Sequence, residues 1–227
     1  MTVAGYLFKQ EQARRFSRDW RKVLEKFQIP AAHQTDCATG NGDYKGMSMS
    51  DRIKVSTKLI ENIRRRSSYG FGVSIDPAAY DRIVGQVNNA PSAYSYALLQ
   101  CFALLSRWAE KSGFEGKITY IFEAGHASQR EASRFLDSIL SSGSRLSRFY
   151  AGHSFISKEC ALELQAADML AWQYQHFHAR RKHGHDKARK DFLALLRPHD
   201  SCIDHTDESL TQFRDQIIEP GWLIGRY

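Results

Sequence analysis

The sequence predicts an α/β layered domain with a mixed sheet flanked by helices on both faces. Three observations predict it. Short β-prone segments alternate with amphipathic segments of helix length, no apolar run approaches the roughly 20 residues of a membrane span, and no repeat or Pro- or Ser-rich linker divides the chain. With 227 residues, 42% of them hydrophobic and 25% charged, the chain holds enough apolar material for one sizeable core. A single domain over 1–227 is therefore expected, with a basic helical C-terminal extension from about 180.

Each element has its own signal. Thr2-Val3-Ala4-Gly5-Tyr6-Leu7-Phe8 is short, apolar and β-prone, and reads as a buried strand in which the chain abruptly opens. Phe16, Trp20, Val23, Leu24 and Phe27 recur at helical spacing opposite Arg14, Arg18, Arg21 and Lys22, which predicts an amphipathic helix ending near Pro30 with its basic face in solvent. A Gly-rich loop from Thr39 to Gly46 leads to a second helix, Ser50 to Arg66, with Ile53, Ile60 and Ile63 on one face. From Tyr69 to Ile75, large apolar residues alternate with Gly70, Gly72 and Ser74, a strand with one face small enough for close approach, closed by Asp76-Pro77.

Tyr94 to Lys111 reads as a helix with Leu98, Cys101, Leu105 and Trp108 inward and Gly113 as its stop. Lys117 to Glu123 reads as a central strand. Ser128 is expected to cap a helix carrying Ala132, Phe135, Leu136 and Ile139, with Glu131 completing a capping box. A short strand around Arg148 to Phe155 precedes a long helix beginning near Lys158.

The net charge is +7, yet residues 180–190 carry six bases against one acid and so supply +5 of it. The excess is a local patch, which points to nucleic acid or another acidic partner, although a solvated helix end gives the same pattern. Cys37, Cys101, Cys160 and Cys202 form no C-x-x-C pair, so a zinc finger and a thioredoxin-like motif are excluded, and a reducing, cytoplasmic compartment fits. The N-terminus lacks the basic region and cleavage site of a signal peptide, and no organic cofactor is indicated.

Two carboxylates stand out. Asp168 interrupts the apolar run Leu164-Gln165-Ala166-Ala167-Asp168-Met169-Leu170-Ala171-Trp172. It lies either on a narrow polar stripe or against the sheet, where an ionised acid must be paired or metal-bound. Helical geometry puts Gln165 on the same face, within reach to orient it. Glu123 ends a strand just before Ala124-Gly125-His126, where an acid can project into a crevice or simply mark the boundary. Together the two supply the minimum for a hard cation such as Mg²⁺ or Mn²⁺.

His33-Gln34-Thr35-Asp36 adds an imidazole and a third acid, unless Asp36 serves an Asx-turn. The Gly-rich loop lacks the ending of a P-loop and fails the dinucleotide fingerprint. His176-x-His178 and His183-x-His185 lack a cysteine or acid at ligand spacing, which argues against zinc.

The opening strand and helix, His33-Gln34-Thr35-Asp36, the stretch Tyr69 to Tyr80, Tyr120-Ile121-Phe122-Glu123-Ala124-Gly125 and, most specifically, Gln165-Ala166-Ala167-Asp168-Met169-Leu170-Ala171 resemble the bacterial family called domain of unknown function 3800. The resemblance covers most of the chain and implies a ribonuclease H-like mixed sheet, in which acids at strand ends and on the last core helix bind metal and hydrolyse phosphodiesters. Residue by residue, Glu123 matches the strand-end acid and Asp168 the helix acid, while Asp36 and His33 match a motif near the site. The family opens on a strand bearing Asp-Glu-Ser-Gly, and this chain has no such motif. It therefore reads either as a chain without its first strand or as a degenerate member.

The expectation is a metal-dependent nuclease in which Glu123, Asp168 and Asp36 bind Mg²⁺ or Mn²⁺, with His33 beside them. Arg180, Arg181, Lys182, Lys187, Arg189 and Lys190 would contact nucleic-acid phosphates. The alternative is a catalytically inactive nucleic-acid-binding or protein-interaction module.

Overall fold

The computed structural model describes residues 1–218 except 89, 142 and 144, and leaves aside the side chains of 139, 145, 182, 217 and 218. In chain order the elements are β1 (Thr2–Leu7), α1 (Gln10–Phe27), α2 (Gln34–Thr39), α3 (Met49–Arg66), β2 (Tyr69–Ile75), α4 (Pro77–Ile83), α5 (Ala93–Lys111), β3 (Ile118–Glu123), α6 (Gln129–Ser141), β4 (Tyr150–Ile156), α7 (Leu162–Lys182), α8 (Lys190–Leu195), β5 (Ser201–His205) and α9 (Asp207–Phe213). The α/β class is observed, as a mixed sheet ordered β1-β2-β5 and a parallel pair β3-β4, flanked by helices. β1 and β2 are antiparallel: Met1 and Ile75 exchange both backbone hydrogen bonds, and Ser68 N donates to Leu7 O.

Where the sequence predicts one domain, the chain divides into two compact units. One comprises residues 1–3, 73–155 and those from 202 onward; the other comprises 4–72 and 156–201. In the second unit α1 turns Phe16, Trp20 and Leu24 inward and leaves Arg14, Arg18, Arg21 and Lys22 exposed, as its periodicity demands. It packs on α3, where the buried Asn62 donates to Phe16 O at 3.0 Å, and Arg65 and Arg66 converge on Asp19.

α3 departs from its expected face. Its buried residues are Val55, Leu59, Ile60, Asn62 and Ile63, whereas Ile53 is 59% exposed. β2 is buried nearly throughout, and its glycines have a reason: a Cβ on Gly70 would meet Tyr6 and Asp200 at about 3 Å. Asp200 accepts from Gly70 N, Arg197 N and the Arg197 guanidinium, binding the start of β2 to the turn before β5.

In the first unit α5 buries Leu98, Cys101 and Leu105, and Gly113 leaves the helix at φ 64°, a value open to glycine. Asp76 closes β2 and also caps α4, accepting from Ala78 N at 3.1 Å with Pro77 at the first helical position.

Two expectations are corrected here. β3 is not a central strand: it belongs to a two-stranded sheet and alternates buried Ile118 and Tyr120 with exposed Thr119 and Ile121. The Ser128–Glu131 capping box does not form. The Glu131 carboxylate accepts instead from Ser92 N and Ser95 Oγ, at the start of α5. The Ile139 side chain lies outside the described residues.

The long helix α7 starts at Leu162, four residues beyond Lys158, and stops at Lys182. Residues 183–189 are not helical, so the basic stretch is a helix end, a loop and the first residue of α8 rather than a continuous helix. Among the described residues no helix is long and apolar enough to cross a membrane.

Candidate nucleic-acid interface

The residues expected to form a metal site are divided between the units. Glu123 is exposed at the end of β3 in the first unit. The turn after it carries Gly125 at φ 102° and His126, whose ring stacks on Tyr94 at 3.9 Å. Burial pushes the Tyr94 hydroxyl up to about 12, with Cys101 and the Glu123 carboxylate adding to the rise. Asp36, His33 and Asp168 belong to the second unit.

Asp36 sits on α2 with its carboxylate over Gly42, where a Cβ would collide with Oδ2. His33 Nε2 lies 3.0 Å from Lys158 Nζ. With the ammonium donating, Nε2 is the acceptor and Nδ1 carries the ring proton, buried without a partner. The lone pair that a metal would need is thereby engaged by a cation.

Gln165 holds this corner together, although not as expected. Its Oε1 accepts from Trp20 Nε1 and Ala32 N, both at 2.9 Å, and its Nε2 donates to Lys158 O at 3.2 Å. One amide thus joins α1, the segment entering α2 and the segment entering α7, and sets His33 beside Lys158. None of these hydrogen bonds goes to Asp168, so Gln165 does not orient it. Asp168, one turn on, is half-buried and has no hydrogen-bond or ion-pair partner among the described residues.

Among the described residues no group of three or more His, Cys, Asp or Glu side chains is gathered to hold a metal ion. Within the second unit, His33, Asp36 and Asp168 are not gathered into such a group. The paired histidines of 176–185 make no such group either.

The basic stretch separates into two parts. Arg180 is half-buried near the end of α7. Arg181 lies over the Phe177 ring at 5.6 Å and 3.7 Å from Asp186. The Lys182 side chain lies outside the described residues, and Lys187 is exposed. Arg189 and Lys190, at the entry to α8, instead join two arginines that sequence reasoning missed, Arg52 and Arg64 of α3, around a cavity of about 470 Å³.

The geometry of this cavity is specific. Arg52 donates to Cys37 O and Ala38 O at 2.8 and 3.0 Å, and Arg64 to Ala194 O at 3.0 Å, so both guanidinium groups are anchored by backbone carbonyls. Arg189 grips Asp191 with two nitrogens, at 3.0 and 2.7 Å. Burial works to raise the Asp191 pKa, but the Arg189 and Gln173 hydrogen bonds, the Arg189 charge and the Phe192 N–H outweigh it and hold the carboxyl below its ordinary value. Lys190 has no partner among the described residues. The available signal was a second stripe on α3: Met49, Ile53, Ser56, Ile60 and Arg64 recur at three- and four-residue spacing and all line the cavity.

Compared with known proteins, the chain matches no family model, no curated protein and no solved structure.

Proposed function

We propose that the chain binds nucleic acid through the unit that carries α3, α7 and α8. The observation that carries this reading is the convergence of Arg52, Arg64, Arg189 and Lys190 from separate segments on one cavity, against Glu61 and Asp191 as the acids of its lining among the described residues. Cations anchored by backbone carbonyls hold their positions with little further ordering, which suits them to phosphate contacts. Binding of this kind releases counterions and weakens steeply with salt.

Fluorescence anisotropy with labelled DNA and RNA oligonucleotides tests it. Affinity is expected to fall by tenfold or more between about 50 and 200 mM salt, and Arg64→Glu with Lys190→Glu to weaken binding further while flattening the salt slope. Absence of salt-dependent binding by the wild-type chain overturns the reading.

Asp168 favours a second reading, metal-dependent phosphodiester cleavage, because among the described residues its half-buried carboxylate has no hydrogen-bond or ion-pair partner, which leaves its oxygens open to a cation. Mg²⁺ is commonly held by one or two carboxylates with substrate phosphates supplying further ligands, so the assay requires nucleic acid and metal together. Cleavage that depends on Mg²⁺ or Mn²⁺ and is abolished by Asp168→Asn supports it. An unchanged rate in Asp168→Asn removes Asp168 from the chemistry.

A further inference from the structure

The cavity between α2, α3 and α8 has three kinds of wall, and together they specify a ligand. One is apolar: Met49, 69% exposed, and Ile53 leave large hydrophobic surface uncovered beside the buried Ile60. Another is charged: Arg64 and Lys190 stand beside Glu61 and the Arg189–Asp191 pair. The third is polar, from Gln34. Gln34 is only 5% exposed, yet its side chain makes no hydrogen bond among the described residues, and Oε1 is buried without a partner. Arg52 Nε, in the same lining, is buried and unpartnered as well. Of the buried polar side-chain atoms without a partner among the described residues, these two belong to residues that line the cavity.

Inorganic phosphate would answer the cations and leave the apolar wall wet. A long-chain acid would cover that wall and leave the amide unpaired. A nucleotide answers all three features: its base is a flat apolar body edged with donors and acceptors, and its phosphate is anionic. The volume of about 470 Å³ lies within the range of small-molecule sites.

We propose that this cavity takes one unpaired nucleotide, the base between Ile53 and Ile60 with its hydrogen-bonding edge at Gln34, and the phosphate at Arg64 and Lys190. The inference rests on the nucleic-acid reading and adds a substrate class to it. A base enters such a cavity only when it is out of a duplex, so the chain selects single strands or extruded bases.

The experiment pairs calorimetry on the four nucleoside monophosphates, inorganic phosphate and decanoate with anisotropy on single- and double-stranded oligonucleotides. It uses the full chain, Gln34→Leu and Ile53→Trp. Ile53 is exposed, so the Trp variant is expected to fold as the wild type does and to obstruct the cavity; thermal melting checks this. At least one monophosphate should bind where phosphate and decanoate do not. Gln34→Leu should weaken that binding roughly tenfold, the scale of one base-edge pairing. The single-strand preference should disappear in Ile53→Trp.

Equal binding of single and double strands, unchanged in Ile53→Trp, overturns the inference and leaves the nucleic-acid reading standing. Monophosphate binding that Gln34→Leu weakens, without oligonucleotide binding, keeps the site and removes the reading. Binding of neither removes both.

Discussion

Gln165 and Gln34 lie in the same unit and are buried almost equally, at 1% and 5% exposure, yet their amides have opposite fates. Gln165 makes three hydrogen bonds to three separate segments; Gln34 makes none among the described residues and borders a cavity. The acids of this unit divide in the same way. The Asp200 side chain is 1% exposed and surrounded by donors, whereas Asp168 is half-buried without a partner among the described residues. Burial alone therefore does not tell a satisfied polar side chain from an unsatisfied one. Their hydrogen bonds do.

The sharpest way to break this comparison is to remove a satisfied group. Asp200→Ala would leave the Arg197 guanidinium, which is 12% exposed, without its counter-charge and with the Ser67 carbonyl as its remaining acceptor, and would leave Gly70 N without its own. Removing one partner of a buried ion pair costs about 3–5 kcal/mol, so the variant should unfold at a much lower urea concentration than the wild type. Gln165→Leu should cost about 2–3 kcal/mol, because Trp20 Nε1 and Ala32 N both lose their acceptor. A cost below about 1 kcal/mol would mean that those donors find other partners, and the contrast with Gln34 would fail.

How far these residues were legible in the sequence follows from the range of their interactions. α1, α5 and β2 were readable because a long stretch of one period states which face is covered. β3 was located but misjudged, since the alternation of Ile118, Thr119, Tyr120 and Ile121 does not say whether a second layer covers Ile121. The Ser128–Glu131 motif was present, and a partner 39 residues away won Glu131. Gln165 was assigned to Asp168 by its spacing on the helix, but Trp20, 145 residues away in sequence, holds it.

The basic stretch was visible as charge. Its use depends on α7 ending at Lys182 and α8 beginning at Lys190, which among the described residues brings Arg189 and Lys190 to the cavity. Arg52 and Arg64 were missed because the periodicity of α3 was read for its core face alone.

A smaller effect sharpens the comparison through pH. Partial burial disfavours the Asp19 carboxylate, but the Arg66 hydrogen bond and the charges of Arg66, Arg65 and Arg18 outweigh it and hold its pKa below the ordinary 3.8. A depressed folded-state pKa contributes stability that is fully present above the unfolded value and is lost as pH falls through the folded one. Asp19→Asn should therefore cost about 1 kcal/mol near neutral pH, the upper end for ion pairs that water still reaches. The difference from the wild type should close as pH drops below 3.8. A gap that persists in acid would assign the effect to packing rather than to charge.

The smallest expected change is the most discriminating. Gln34→Leu removes an amide of similar size whose hydrogen bonds are not made within the described chain, so the folded state loses no pairing and sheds an unsatisfied oxygen. Stability should stay within about 0.5 kcal/mol of the wild type or rise slightly, as happens when a site kept for binding is replaced by an apolar group. The same leucine at Gln165 should be several times more costly, and urea unfolding of the two variants side by side measures that ratio. If the two substitutions cost the same, Gln34 is a structural residue like Gln165, and its buried amide gives no reason to expect a ligand in the cavity.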